Sequence, residues 1–263
     1  MVAVQLGRSE FHHEQVEGHR TGTIASVHSW ELVTAVDGPG TRLTYFLSGC
    51  LLRCQYCHNP DTWKMRDGVL TPIDEVLERI RRYRGVFAAT GGGVTLSGGE
   101  PLMQPAVVER VFAQCRELGV HTALDTSGYL GMSASDALLD DTDLVLLDVK
   151  SGLPDTYRAV TGRELAPTIA FGDRLCARGT EVWVRFVLVP GLTDAVENVD
   201  AVAEIVARWP NVSRVEVLPF HQMGEDKWNR LAIPYPLHGV TPPDSALLER
   251  VRDQFRARGL TTF

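Results

Sequence analysis

Residues 48–60 read Ser48-Gly-Cys50-Leu-Leu-Arg-Cys54-Gln-Tyr-Cys57-His58-Asn-Pro60, with three and then two residues between successive cysteines. The apolar run Leu43–Leu47 before this stretch predicts a buried strand, so the cysteines lie in the loop that leaves it. Such a loop can turn three thiolates toward one centre, and thiolates favour iron-sulfur clusters or zinc. Zinc would need a fourth protein ligand, and His58 would have to double back to reach the same ion. In a cubane cluster, three cysteines leave one iron open to a substrate.

The other two cysteines, Cys115 and Cys176, each lie alone in a helical pattern. A free cysteine in such a place is commonly a small buried apolar residue, so we expect a structural role for both. An odd total of five cysteines, three of them within eight residues, is a poor disulfide framework for a chain of this length. Metal ligation is therefore the better interpretation of the triad.

Short apolar runs alternate with amphipathic segments along the rest of the chain, which is typical of βα units around a parallel sheet. The predicted strands are Leu43–Leu47, Val94–Leu96, His121–Leu124, Leu144–Val149, Val182–Val189 and Val215–Pro219. The predicted helices are Pro72–Tyr83, capped by Thr71, then Gln104–Leu118, Ala134–Leu139, Thr168–Ala177 and Val196–Ala207. An open doubly wound sheet and a partial (β/α) barrel both fit this order. Both folds place active sites at the carboxyl ends of the strands.

The composition predicts one soluble domain. A chain of 263 residues with 44% hydrophobic content can bury one sizeable core. We expect residues 1–22, which are polar, to form a flexible leader before a domain at 23–263; His12 and His13 in the leader have no predicted role. The formal charge of −7 and scattered basic residues argue against nucleic-acid binding. The absence of a signal peptide and of a span of about 20 apolar residues predicts a cytoplasmic protein without membrane contact.

Several polar residues lie in or directly after the predicted strands, where they need a binding partner. Arg185 lies within an apolar strand, where an unpaired guanidinium is costly to bury, so it should meet a carboxylate such as that of a cofactor. Asp125 and Asp148 end neighbouring strands, and two such acids destabilise a fold unless something positive compensates them. Lys150 or a metal cation could do so. Gly98 and Gly99 let the backbone approach a ligand closely, with Glu100 behind them.

Beyond the triad, further motifs recur in order from about residue 23 to residue 263. They are Val36-Asp-Gly-Pro-Gly40, Tyr56-Cys-His-Asn59, Gly91-Gly-Gly-Val-Thr95, Ser97-Gly-Gly-Glu100, Leu124-Asp-Thr-Ser-Gly128, Leu147-Asp-Val-Lys150, Trp183-Val-Arg-Phe186, Val189-Pro-Gly191, Leu218-Pro-Phe-His221 and Lys227-Trp228. Together with the triad they resemble the glycyl-radical-enzyme activating enzymes of the radical S-adenosylmethionine superfamily. Within that family, the resemblance is to the group that acts on pyruvate formate-lyase.

The resemblance implies an α/β fold, a partial (β/α)6 TIM-like barrel, with a 4Fe-4S cluster on Cys50, Cys54 and Cys57. It implies S-adenosylmethionine (SAM) as the second cofactor, with its amino group at Gly98, Gly99 and Glu100. The other implied SAM contacts are Tyr56 and His58 near the adenine and ribose, Asp148, Val149, Lys150, Arg185 and His221. It also implies a monovalent cation, Na⁺ or K⁺, held by Asp125, Thr126, Asp148 and the backbone of Leu146.

The implied reaction is removal of a hydrogen from a glycine Cα of pyruvate formate-lyase, with a flavodoxin or ferredoxin-type protein as electron donor. The first alternative is activation of a different glycyl radical enzyme. Many such activating enzymes carry an inserted segment with further cysteines, whereas residues 58–92 contain none, which favours the formate-lyase type. The second alternative is a non-catalytic zinc or iron-sulfur binding protein.

Overall fold

A computed structural model describes residues 16–34 and 37–263, and residues 16–21 are helical. The strands are β1 Ile24–Thr34, β2 Thr41–Leu47, β3 Val69–Pro72, β4 Gly93–Gly98, β5 His121–Thr126, β6 Leu144–Asp148, β7 Glu181–Leu188 and β8 Val212–Pro219. The α-helices are α1 Ile73–Thr90, α2 Pro105–Leu118, α3 Asp136–Asp140, α4 Pro154–Thr161, α5 Ala166–Arg178, α6 Val196–Val206, α7 Glu225–Arg230 and α8 Ser245–Arg256. Short 3-10 turns connect several of them.

All eight strands belong to one sheet, in the order β3-β1-β2-β4-β5-β6-β7-β8. The six strands from β2 to β8 in this order are parallel, and β1 pairs antiparallel with both β2 and β3. The parallel strands follow chain order without the reversal that defines a doubly wound sheet. Successive crossovers therefore wind the chain in one direction, as in a barrel.

The sheet is strongly curved. Phe46 of β2 and Leu218 of β8 line the same cavity. In a flat sheet, five strand spacings of about 4.8 Å would hold these two strands roughly 24 Å apart. The predicted partial (β/α)6 barrel is thus confirmed.

Successive side chains of each parallel strand point alternately to the helices and to the barrel interior. In β7, Val182, Val184, Phe186 and Leu188 are buried in the main hydrophobic core between sheet and helices. The residues between them are only partly buried, and Arg185 among them lines the cavity. The period of two thus places these four apolar side chains outward against the helices, and Trp183, Arg185 and Val187 on the opposite, inward face.

The prediction that Thr71 caps a helix beginning at Pro72 is wrong. Thr71 and Pro72 belong to β3, where they pair with Ala25 and Ile24 of β1, and this pairing keeps their backbone extended. Helix α1 begins at Ile73 without a side-chain cap and runs to Thr90, seven residues beyond the predicted end. Strands β1 and β3 and helices α4, α7 and α8 were not predicted.

Residues 1–15, which include His12 and His13, lie outside the described part of the chain, so the leader at 1–22 stays a prediction. No helix in the described ranges is long and apolar enough to cross a membrane.

Candidate active site

The cysteine loop leaves the carboxyl end of β2 and is fixed by the last turn of helix α4. The backbone N–H of Arg53 donates to the Thr161 carbonyl at 2.8 Å, and that of Gln55 donates to the Val160 carbonyl at 3.0 Å. The Gln55 side chain donates to the Ala159 carbonyl at 2.8 Å. The last carbonyls of a helix have no partner within the helix, so the loop satisfies groups that would otherwise need water.

The Gly98-Gly99 turn after β4 fixes the start of the same loop. The Gly99 N–H donates to the Leu47 carbonyl, and the Glu100 N–H donates to the Gly49 carbonyl, each at 2.8 Å. A Cβ on Gly99 would lie 2.4 Å from the Gly49 oxygen, so only glycine permits this approach. Gly98 has φ +119°, in the region that favours glycine.

Cys50, Cys54 and Cys57 line one cavity of about 540 Å³, and none of them forms a disulfide. Burial raises the pKa of all three thiols, that of Cys54 to about 12. Neutral buried thiols are poor ligands, and a bound metal is what stabilises the thiolate form. Cys115 and Cys176 lie in α2 and α5, in or against the hydrophobic core, and do not line the cavity.

Glu100 is fully buried and is saturated by hydrogen bonds to its carboxylate. Ser127 donates to it through its N–H at 3.0 Å and its hydroxyl at 2.5 Å, Thr126 donates its hydroxyl at 2.6 Å, and the Leu102 N–H donates at 3.2 Å. Burial raises the pKa of Glu100, and the Ser127 and Thr126 bonds oppose that rise. The side chain does not line the cavity, so it braces the turn after β4 against the loop after β5.

Arg185, on the inner face of β7, forms ion pairs with three carboxylates. Its guanidinium lies 3.1 Å from Asp37, 3.3 Å from Asp125 and 3.3 Å from Glu216. Burial alone would lower the pKa of Arg185, but these acids raise it above its usual value. The expected carboxylate partners are thus present within the protein. They hold the guanidinium at the cavity wall.

Asp125 and Asp148 are compensated by side chains. Asp125 accepts from the Ser97 hydroxyl at 2.5 Å besides pairing with Arg185, and Asp148 pairs with Lys150 at 2.8 Å. Burial still raises the pKa of Asp125 to about 7, and Arg185 opposes the rise. Burial lowers the pKa of Lys150, but Asp148, Cys54 and Tyr56 together outweigh burial, and the net shift is upward. In the described ranges, no three His, Cys, Asp or Glu side chains surround a single-ion position.

Tyr56 and His221 present polar atoms that lack partners. The Tyr56 hydroxyl and His221 Nδ1 are buried and have no hydrogen-bond partner among the residues that the structure describes, and both residues line the cavity. The His58 ring lies 4.2 Å from the His221 ring, and its Nε2 is 3.2 Å from the His221 carbonyl. Buried polar atoms without partners are rare in folded proteins, and a bound ligand would satisfy them. The cavity also has the volume of an ordinary small-molecule site.

The structure brings most of the predicted site residues to this one cavity. It is lined by Cys50, Cys54, Tyr56, Cys57, His58, Gly98, Gly99, Asp125, Thr126, Asp148, Lys150, Arg185 and His221. Glu100, Leu146 and Val149 are buried beside it without lining it.

Sequence reasoning missed four residues of this site as participants: Asp37, Trp63, Ser97 and Glu216. Asp37 and Ser97 were within quoted motifs but had no assigned role. Glu216 lies between Arg214 and Leu218 on one face of β8. This spacing of two residues could have indicated that Glu216 faces the barrel interior. No sequence pattern indicated Trp63, because it reaches the cavity only through the way the cysteine loop folds back.

Comparison with known proteins agrees with this geometry. The model of the radical SAM superfamily matches residues 44–203. The pyruvate formate-lyase-activating enzyme of Listeria monocytogenes serovar 1/2a is 40% identical over 87% of this chain and 94% of its own length. The pyruvate formate-lyase 1-activating enzyme of Escherichia coli K12 is 38% identical over the same shares.

Solved structures show the same fold at low identity. A domain of a pyruvate-formate lyase-activating enzyme from Bacteroides vulgatus has a TM-score of 0.55 at 23% identity, covering 66% of this chain and 98% of its own. Streptococcus suis SuiB bound to precursor peptide SuiA has a TM-score of 0.64 at 14% identity, covering 96% of this chain and 52% of its own.

The fold and the matched domain make this chain a radical SAM enzyme, a class whose members use SAM and a 4Fe-4S cluster. Within that superfamily, its identity to curated relatives over most of its length shows that it belongs to the pyruvate formate-lyase-activating enzymes.

Proposed function

We propose that this chain activates pyruvate formate-lyase by generating a glycyl radical on it. The observation that carries the proposal is the convergence on one cavity of three free cysteines and the polar residues at the carboxyl ends of the parallel strands. Relatives 38–40% identical over 87% of the chain are named for the same activity.

Cys50, Cys54 and Cys57 would hold the 4Fe-4S cluster, and the donor set fits such a group because three thiols leave one iron free. When bound, cluster and SAM supply reductive cleavage to methionine and a 5′-deoxyadenosyl radical, which takes a hydrogen from the target glycine. The hard chemistry belongs to the cofactors, so the protein's task is binding, orientation and exclusion of water.

The chain's own residues divide that task by position. The backbone at Gly98 and Gly99 and the Asp148–Lys150 segment would hold the amino-acid part of SAM, with Arg185 fixed nearby by its carboxylates. Tyr56, His58 and His221 would contact the nucleoside, which would give the Tyr56 hydroxyl and His221 Nδ1 their missing partners. Because each side chain is anchored by packing or hydrogen bonds, little rearrangement is needed on binding.

The substrate must deliver a backbone glycine into the barrel. A Cα inside a packed domain could not reach this cavity, so the glycine would enter on a loop that leaves its own domain. No general base is required of this chain, since a hydrogen atom and not a proton is transferred. The electron would come from a flavodoxin or ferredoxin-type protein. The monovalent cation at Asp125, Thr126, Leu146 and Asp148 and the cytoplasmic location stay predictions.

The test is anaerobic reconstitution with iron and sulfide, reduction with dithionite, and assay for 5′-deoxyadenosine. Wild type should form it, and Cys54→Ala should form none. Cys115→Ala is a matched control, because Cys115 is also buried and its pKa is also raised by burial to about 12, yet it lies in the core of α2. A wild type that never consumes SAM would overturn the proposal in favour of a non-catalytic metal protein. An active Cys54→Ala variant would instead refute the assignment of the cluster to the three cysteines.

A further inference from the structure

The outer surface of the cysteine loop carries three exposed basic side chains, Arg53, Lys64 and Arg163. Two of them are tied directly to the loop. Arg53 donates to the carbonyls of Cys50 and Leu52, each at 2.7 Å, and Arg163 donates to the Leu51 carbonyl at 2.9 Å. The third follows Trp63, over whose ring Arg53 stacks at 4.7 Å. We call Arg53, Trp63, Lys64 and Arg163 the loop patch.

The charge of the loop patch is not cancelled by its neighbours. Within the described ranges, none of its three cations forms an ion pair. The acids close to it in sequence pair with other cations: Asp155 and Glu164 share Arg158, Asp61 pairs with Lys227, and Asp67 pairs with Arg66. The one negative charge left over at Arg158 is fewer than the three positive charges of the loop patch. The chain as a whole has a formal charge of −7, whereas the loop patch carries three positive charges.

The loop patch also reaches the cysteines through one side chain. The Trp63 side chain lines the same cavity as Cys57, and the Trp63 carbonyl accepts from the Cys50 N–H at 3.0 Å. On its outer side the ring is covered by the exposed Arg53 guanidinium. One aromatic ring thus lies between the exposed Arg53 guanidinium and the cavity that the three cysteines line.

We propose that the loop patch is the docking surface for an acidic protein that carries a one-electron donor. This deepens the proposed function and rests on it, because the cluster on the three cysteines must receive one electron for each SAM cleaved. The donor's reduced carrier loses that electron, and the cluster gains it. Positive charge at the surface nearest the cysteines steers an acidic partner to the face where the transfer distance is shortest.

The glycyl radical enzyme is the competing occupant, and the geometry favours the electron donor. The glycine must enter the barrel cavity, which is reached at the carboxyl ends of the strands, whereas the three cations of the loop patch, Arg53, Lys64 and Arg163, do not line that cavity. Charge complementarity at a rim governs association rate and salt dependence, which is the behaviour expected of transient electron-transfer encounters.

The test variant is Lys64→Glu with Arg163→Gln. Lys64 makes no side-chain hydrogen bond in the described ranges, and a glutamine at 163 keeps an amide donor for the Leu51 carbonyl. The matched control is Arg84→Glu with Arg208→Gln, which changes the charge equally. Both control residues are exposed, and both belong to segments that return to the amino ends of the strands.

The probe is a flavodoxin reduced to its hydroquinone. Its Kd for each reconstituted variant is measured as a function of salt, and 5′-deoxyadenosine formation is compared with flavodoxin and with dithionite. We expect Kd at low salt to rise about tenfold in the test variant, with a shallower salt dependence, and about twofold or less in the control. Flavodoxin-driven turnover should fall, while dithionite-driven turnover stays at the wild-type rate.

An unchanged Kd would overturn the docking surface. So would an equal loss with dithionite, or weaker binding of pyruvate formate-lyase in place of flavodoxin. A wild type that forms no 5′-deoxyadenosine even with dithionite would instead refute the proposed function, so the two failures are distinguishable.

Discussion

Replacing Gly99 with alanine tests whether the turn after β4 sets the position of the cysteine loop. The added Cβ would lie 2.4 Å from the Gly49 oxygen, 2.9 Å from the Gly49 carbonyl carbon and 3.1 Å from the Thr62 oxygen. All three atoms are backbone, so no flexible side chain can give way. The loop itself must move, and with it Cys50, the next residue.

The magnitude follows from overpacking. Forcing one methyl group into a closed space costs about 1–3 kcal/mol in the free energy of unfolding. A displacement of about 1 Å in a positioned group can lower a rate by roughly a hundredfold. We therefore expect Gly99→Ala to fold, to lose about 1–3 kcal/mol of stability and to lose most of its 5′-deoxyadenosine formation.

Gly85→Ala is the matched control. Gly85 lies within α1, and a Cβ there meets nothing within 4 Å. Alanine is favoured over glycine in a helix interior by about 0.5–1 kcal/mol, so this variant should be slightly more stable and fully active. Urea unfolding and anaerobic turnover measure both quantities. Wild-type stability and turnover in Gly99→Ala would refute the proposed link between the turn and the loop.

Two further predictions concern charge. Arg185→Met should lower the free energy of unfolding by about 3–5 kcal/mol, because it leaves Asp37, Asp125 and Glu216 without their shared cation; a urea midpoint equal to that of wild type would contradict this. The pKa of Asp61 is lowered below its usual value of 3.8, because hydrogen bonds from His28 and Lys227 outweigh burial, which raises it. A depressed folded pKa gives stability that is present above pH 3.8 and lost as pH falls through the folded value. The stability difference between wild type and Asp61→Asn should therefore be constant near neutral pH and shrink in acid; a difference independent of pH would count against the ion pair.

The elements that the sequence predicts are those with a continuous apolar pattern of their own. The six parallel strands are short and apolar, because both faces pack or line the interior, and each was found with boundaries within three residues. Strand β1 was missed because polar residues such as Ser26, His28 and Glu31 interrupt its apolar pattern. The sequence shows no sign that its partners are β2 and β3.

Helix α4 was missed although it has clear terminal signals. Pro154 occupies the first helical turn, and Gly162 follows in the left-handed conformation. Eight residues are too few for periodicity to indicate a helix, yet its final carbonyls hold the cysteine loop. Short elements that act through tertiary contacts are the part of a site that single-sequence reasoning is least able to find.

In the site, too, local features could be predicted from the sequence, and features that depend on tertiary contacts could not. The cysteines were evident from spacing alone, since their chemistry resides in one loop. Arg185 was expected to pair with a cofactor, whereas three carboxylates from separate segments meet it. Glu216 is the register partner of Arg185 in the neighbouring strand β8. Asp37, before β2, and Asp125, in β5, come from segments that do not adjoin β7 in the sheet order.

The most direct test of the central claim is an electron paramagnetic resonance spectrum of pyruvate formate-lyase after anaerobic incubation with the reconstituted protein, SAM and reductant. We predict the doublet of a glycyl radical on pyruvate formate-lyase, lost when Cys54→Ala replaces wild type and retained with Cys115→Ala. A spectrum without that doublet, while 5′-deoxyadenosine accumulates, would show that this enzyme acts on a different partner.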